Sequence, residues 1–231
     1  MAKPNKEESS IPQPNILYVM TDQHRYDAIR ALGNEHIYTP NLDRLAQRGV
    51  AFTNAYSTCP VCVAARYTIR TGCETTRVFS NGIAPPAPGQ AESIPERCGP
   101  YLARTMQDLG YRTFGIGKFH ANPWEEDLGY ETYLRSEENY GNAERRKGDA
   151  YAQFIAEQYP AYDFIEGLMG ERTEMYYMPQ MSAMPAEQTV EAWAADRAVE
   201  QIARAGEEPY FAFVFSYHGD RLTIGAGRRS A

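Results

Sequence analysis

Residues 59–72 read CPVCVAARYTIRTG, and three kinds of chemistry fit those residue types. Cys59 and Cys62 at a Cys-x-x-Cys spacing suit half of a zinc or redox site, a buried structural pair, or a cysteine that serves as nucleophile. Cys62 stands where a helix would open, in the positive end of its dipole, which favours a thiolate or any developing anion. Arg66, one turn further on, falls on the same helix face and can hold two oxygens of a tetrahedral anion. The zinc reading lacks a second half, because Cys73 and Cys98 fall at irregular spacing with no His-x-His or second Cys-x-x-Cys nearby. The redox reading lacks a thioredoxin-like context. Spacing alone leaves all three open.

The elements around this stretch decide what can reach it. NILYVMTD (15–22) is a short apolar run ending in polar residues, as a buried parallel strand reads. HRYDAIRALG is a short helix candidate. TPNLDRLAQRG (39–49) is a clearer one, with Thr39 as N-cap, Pro40 first in the helix and Gly49 past its end. VAFTNAYS alternates and predicts a strand, and VAARYTIRTG a helix closed by Gly72. Residues 81–100, rich in Pro and Gly, read as a loop. GPYLARTMQDLG predicts a helix stopped at Gly110, and YRTFGIGKFH a strand running into polar residues. Residues 121–185 hold no sustained period and read as loops and short helices. PAEQTVEAWAADRAVEQIARAG (185–206) carries one apolar stripe, Val190, Trp193, Ala194, Ala198 and Ile202, that suits packing against a sheet. PYFAFVFSY (209–217) reads as another buried strand.

Strand–helix alternation over this length means an α/β fold with a mostly parallel sheet sandwiched by helices. In such sheets ligands bind beyond the carboxyl ends of the strands. The reactive residue types gather there: Asp22 and Gln23 after the first strand, Cys62 after another, Lys118 and His120 after a later one, and His218 after the last. Taken singly, Asp22 is also a common turn residue, and Lys118 and His120 suit a solvated strand end. Their convergence on one edge carries more weight.

Bulk properties narrow the partners. The 231 residues carry a net charge of −7, which disfavours nucleic acid or an acidic membrane surface. An anionic substrate would therefore need a local basic cluster. No apolar run reaches membrane-spanning length, and residues 1–14 read as a flexible polar leader without a signal peptide's apolar core. The expected location is the cytoplasm, where the four cysteines would be thiols.

From Asn15 to about Tyr217 the chain resembles the sulfatases, members of the alkaline-phosphatase-like superfamily. The resemblance rests on PNILYVMTDQHR, TPNLDRLAQRGVAFTNAYS, CPVCVAARYTIRTG, LGYRTFGIGKFH, and TVEAWAADRAVEQI followed by PYFAFVFS. The order and separation of these segments match the N-terminal part of that fold. It implies that Cys62 is the cysteine of a Cys-x-Pro-x-Arg motif, oxidised after translation to formylglycine by a formylglycine-generating or radical maturation enzyme, with Arg66 the motif arginine. The Pro position is Ala64 here, as in some family members matured by radical-type enzymes. It further implies a divalent metal, Ca²⁺ as a rule with Mg²⁺ or Mn²⁺ as alternatives, held by Asp22, Gln23 and the modified Cys62. Lys118 and His120 would hold sulfate oxygens or protonate the leaving alcohol. The implied substrate is a small-molecule sulfate ester, cleaved to alcohol and sulfate. A phosphonate or phosphate monoester hydrolase of the same superfamily, or a non-catalytic remnant binding metal or anion, is the alternative.

Two departures stand against the resemblance. Family members continue into a second stretch of sheet that completes the metal site, so the fold is expected to be incomplete at its C-terminus and the chain inactive on its own. The family's Pro-His pair after the last strand is replaced by SYHGDRLTIGAGRRSA, where His218 lies near the position of the substrate-facing histidine without the preceding Pro. Residues 218–231 read as an atypical, out-of-frame tail.

Overall fold

A computed structural model describes residues 12–22, 24–79, 93–137, 143–163 and 184–216. Gln23, His218, the tail from 218 and residues 1–11 of the leader therefore lie outside the described residues. The fold is built on a parallel four-stranded sheet. Strand β1 (Ile16–Thr21) pairs with β4 (Tyr210–Ser216), which pairs with β2 (Arg112–Gly117), which pairs with β3 (Thr132–Arg135), giving the order β1-β4-β2-β3.

Strand β4 shows why the centre of this sheet is dry on both faces. Its alternation sends Phe211, Phe213 and Phe215 into one apolar layer with Tyr67, Phe79, Phe119 and Leu128, and Val214 into the other with Ile116, Tyr151, Ile155 and Trp193. The first layer is closed by helices α2 (Cys62–Thr71), α3 (Thr75–Val78), α4 (Ile94–Cys98) and α5 (Leu102–Asp108). The second is closed by α7 (Ala150–Gln158) and α8 (Val190–Ala205). Helix α8 buries Val190, Trp193, Ala194 and Ala198 of its predicted stripe but leaves Ile202 only partly covered, and Thr189 caps it by accepting from the Ala192 amide. Helix α1 (Pro40–Arg48) matches the predicted bounds, yet it buries no residue. Thr39 hydrogen-bonds the Asp43 carboxylate rather than capping a backbone amide of the helix. Helix α6 (Ala143–Lys147) is a short charged segment between β3 and α7.

The structure corrects several expectations. The first strand forms as predicted but is not buried, since Leu17 and Val19 are 51% and 61% exposed at the edge of the described sheet. VAFTNAYS forms no strand: no described strand lies beside it to share a hydrogen-bond ladder, and Val50, Phe52 and Tyr56 are largely exposed. HRYDAIRALG yields only a 3₁₀ turn at Arg30–Leu32, because Thr39 and Asp43 side chains accept from the Arg30 and Ala31 amides and left-handed Gly33 ends it. Within the presumed loop at 81–100, a capping box between Ser93 and Glu96 starts α4. The middle region also holds β3, whose four residues are too few to show a period.

Candidate active site

The site forms where β1 and β2 end and α2 begins. Gly117, the last residue of β2, has φ 103°, and a Cβ there would stand 2.1 Å from the Phe215 carbonyl oxygen. Only glycine lets β2 turn out of the sheet so close to β4. The turn delivers Lys118 and His120 to the carboxyl edge. Lys118 is 4% exposed, and its ammonium reaches across the end of β4 to the carboxylate of Asp22, the residue after β1, with Nζ 2.8 Å from Oδ2. Two strand spacings separate β1 from β2, roughly 10 Å, a gap that suits a long side chain.

Arg66 completes this cluster from below. Its guanidinium donates to the same Asp22 oxygen at 3.0 Å and to the Lys118 carbonyl, and it stacks 4.1 Å above the centre of the Phe215 ring. The side chain is fully buried, so its charge needs these partners. Burial alone would push the Asp22 carboxyl up, but Lys118 and Arg66 outweigh it and hold the group below the ordinary carboxylate range.

Cys62 is the first residue of α2, and no side chain caps the helix, so the amides of its first turn are open to an anion. A hydrogen bond from His120 lowers the Cys62 thiol below its ordinary range; burial opposes this, the charges of His120 and Lys118 add to it, and Asp22 works against it. Asp22, Cys62, Arg66, Lys118 and His120 thus form one connected group. Cys59 is half-buried against the aromatic layer, and all four cysteines are free thiols.

His120 itself sits at φ 50°, in the left-handed region that non-glycine residues seldom occupy. A residue that sequence reasoning missed holds it there. The Glu137 carboxylate accepts from the Phe119 amide at 2.6 Å and from the His120 amide at 3.0 Å. Glu137 is oriented by Asp149, which accepts from the Glu137 amide at 2.7 Å while capping α7 through the Ala152 amide at 2.8 Å. Burial pushes the Glu137 carboxyl up, against the pull of His120 and the two backbone amides. The signal for Glu137 lay in β3: had ETYLR been read as a strand, Glu137 would have stood at the same carboxyl edge as Lys118. A second buried network braces α2, with the Tyr67 and Tyr101 hydroxyls both donating to Glu126 and the Asn122 amide donating to Tyr67.

For a divalent metal the described residues offer one hard oxygen donor, the Asp22 carboxylate, which suits Ca²⁺ or Mg²⁺. Among the described residues no three of His, Cys, Asp and Glu cluster to hold an ion. No described helix is long and apolar enough to cross a membrane.

A thiol, a lysine, a histidine and a buried arginine–aspartate pair thus gather at the carboxyl edge of one parallel α/β sheet. A family model for Sulfatase matches residues 14–219, and the chain belongs to the sulfatase family. It is 33% identical over 156 residues to an arylsulfatase of Clostridium perfringens, a match covering 63% of this chain and 31% of that one. It is 35% identical over 108 residues to an N-acetylgalactosamine-6-O-sulfatase of Bacteroides thetaiotaomicron, covering 47% and 20%. The fold is shared with Ps i-CgsB, solved in complex with k-i-k-neocarrahexaose, at a TM-score of 0.60 and 21% identity, covering 90% of this chain and 46% of that one. It is shared too with the phosphonate monoester hydrolase of Agrobacterium radiobacter, at a TM-score of 0.57 and 23% identity, covering 89% and 41%. The chain thus spans under a third of these curated relatives and under half of these solved chains.

Proposed function

We propose that this chain carries the nucleophile of a sulfuric ester hydrolase, with Cys62 oxidised to formylglycine by a maturation enzyme. The observation that carries the reading is the placement of Cys62, first residue of the uncapped helix α2, at the same carboxyl edge as the buried Lys118–Asp22–Arg66 ion pairs. The names of the relatives support the substrate class: an arylsulfatase and an amino-sugar 6-O-sulfatase are among them. A hydrated formylglycine would supply two hydroxyls on one carbon, one to attack sulfur and the other to expel sulfate.

The chain's own residues divide the remaining work. His120, which holds the Cys62 thiol below its ordinary range, moves the proton on the attacking or departing oxygen. Lys118 and the open amides of α2 meet the negative charge that gathers on the sulfate oxygens. Arg66 fixes Asp22 and Lys118 in register rather than reaching substrate, since it is buried beneath them. A divalent cation, Ca²⁺ or Mg²⁺, would be held through Asp22, with Gln23 and the modified Cys62 as further ligands, and would supply Lewis-acid polarisation of the sulfate. His218, two residues after Ser216 in the sequence, is proposed to face the substrate.

Cleavage of a phosphonate or phosphate monoester by the same group is the second reading, favoured by the fold shared with the Agrobacterium hydrolase. The test is competition between 4-nitrophenyl sulfate and a 4-nitrophenyl phosphonate ester on a hybrid in which residues 15–216 replace the matching part of a full-length relative, co-expressed with a maturation enzyme, beside Cys62→Ala. Preferential sulfate release that C62A abolishes supports the first reading. Preferential phosphonate cleavage moves the assignment to the second, and turnover that survives C62A removes both.

A further inference from the structure

Cys73 and Cys98 take no part in the site, yet the fold brings them together. Cys73 follows Gly72, the left-handed residue that stops α2 at φ 66°, and Cys98 is the last residue of α4, ahead of Gly99 at φ 85°. They are 25 positions apart, and the Cys73 sulfur lies 3.9 Å from the Cys98 carbonyl oxygen. Both cysteines also pack against the same aromatic layer. Both are half-buried against the aromatic layer rather than sealed within it, so a small reagent can reach them.

The approach is braced from the other side. Arg77 donates to the Arg97 carbonyl at 3.1 and 3.3 Å, and Arg97 donates to the Val78 carbonyl at 3.2 Å. These reciprocal side-chain-to-backbone bonds hold α3 and α4 side by side, and with them the residues that flank each cysteine. The Thr58 and Thr75 hydroxyls, 3.3 Å apart, add a further tie on the α3 side.

We propose that Cys73 and Cys98 are a disulfide-forming pair that staples the C-terminal ends of α2 and α4 when a small-molecule disulfide such as oxidised glutathione is present. The Cys73 thiolate attacks one reagent sulfur, the reagent S–S bond breaks, and one glutathione thiol leaves. Cys98 then loses its proton and attacks the Cys73 sulfur of the mixed disulfide, expelling the second glutathione thiol. Two protein thiols are oxidised and one reagent disulfide is reduced to two thiols. Burial and the neighbouring Cys73 hold the Cys98 thiol above its ordinary range, which slows Cys98 as an attacker on the reagent. The proposal is independent of the hydrolase reading.

The test incubates the full chain with oxidised glutathione, quenches with acid, and maps tryptic peptides without reduction. Trypsin places Cys73 in peptide 71–77, Cys98 in peptide 98–104, and Cys59 with Cys62 in peptide 49–66. The expected product joins 71–77 to 98–104, in about tenfold excess over any other linkage of these two cysteines, since only the folded chain holds them adjacent. The same reaction in concentrated urea should lose that preference. In Cys98→Ser the reaction should stop at a glutathione adduct on Cys73. Recovery of Cys73 and Cys98 as thiols, as separate adducts, or with a linkage unchanged by urea overturns the proposal.

Discussion

Strands β1 and β4 run side by side in register from Ile16 opposite Phe211 to Thr21 opposite Ser216, yet they bury their side chains to opposite extents. In β4, Phe211, Phe213 and Phe215 are at most 3% exposed; in β1, Leu17 and Val19 are more than half exposed. Both segments are apolar runs of similar length, so local composition does not explain the contrast. The explanation lies in the layers above and below. Helices α2 to α5 and α7 to α8 cover β4, β2 and β3, whereas α1 packs on the 3₁₀ turn and no described helix covers the outer part of β1. The site bridges the two regions: Asp22 comes from the uncovered strand, Lys118 and Arg66 from the covered side. Their ion pairs tie the exposed edge to the rigid core.

The contrast makes graded predictions. The largest effect should come from Phe213→Ala, which removes a ring stacked on Tyr18 and packed near Phe119 and Phe215. It should cost about 3–5 kcal/mol in urea unfolding. Asp22→Ala should follow at about 3 kcal/mol, because it strands the buried Arg66 and Lys118 charges. A loss within the range of surface substitutions would mean that the bridge between the two regions is not formed. Leu17→Ser, on the uncovered strand, should stay within about 0.5 kcal/mol of the parent. A cost near that of Phe213→Ala would show that β1 is covered in solution.

A further prediction concerns ionisation within the bridge. Because the His120 hydrogen bond favours the thiolate, iodoacetamide should modify Cys62 with a pH midpoint below that of an ordinary cysteine, and His120→Ala should raise that midpoint. Glu137→Ala should shift it in the same direction, by releasing the amides that hold His120 at its left-handed φ. An unchanged profile in both variants would separate Cys62 from His120.

How much of this could be read in advance follows from the same physics. Helix α8 and strand β4 were legible because a stripe or an alternation is dense there and both faces of β4 are buried. The ends of α2 were legible too, since Gly72 adopts the left-handed stop that its position after Thr71 predicts. VAFTNAYS was misread because alternation is necessary for a half-buried strand but does not supply the neighbour a strand needs. Asp22, Cys62, Arg66, Lys118 and His120 were legible as residues following predicted strands or opening a helix, and the structure joins them. Glu137 was legible only through β3, whose four residues show no period, and Asp149 not at all, because accepting from backbone amides leaves no spacing signature. Gln23 and His218 lie outside the described residues.

The central claim is that Cys62 is the precursor of the nucleophile. Its most direct test is the mass of tryptic peptide 49–66 after co-expression with a formylglycine-generating or radical maturation enzyme, with a hydrazide probe to trap aldehydes. The account predicts an aldehyde at position 62 and an intact thiol at Cys59 in the same peptide. Two intact thiols with either type of enzyme, or an aldehyde at position 59, would contradict it.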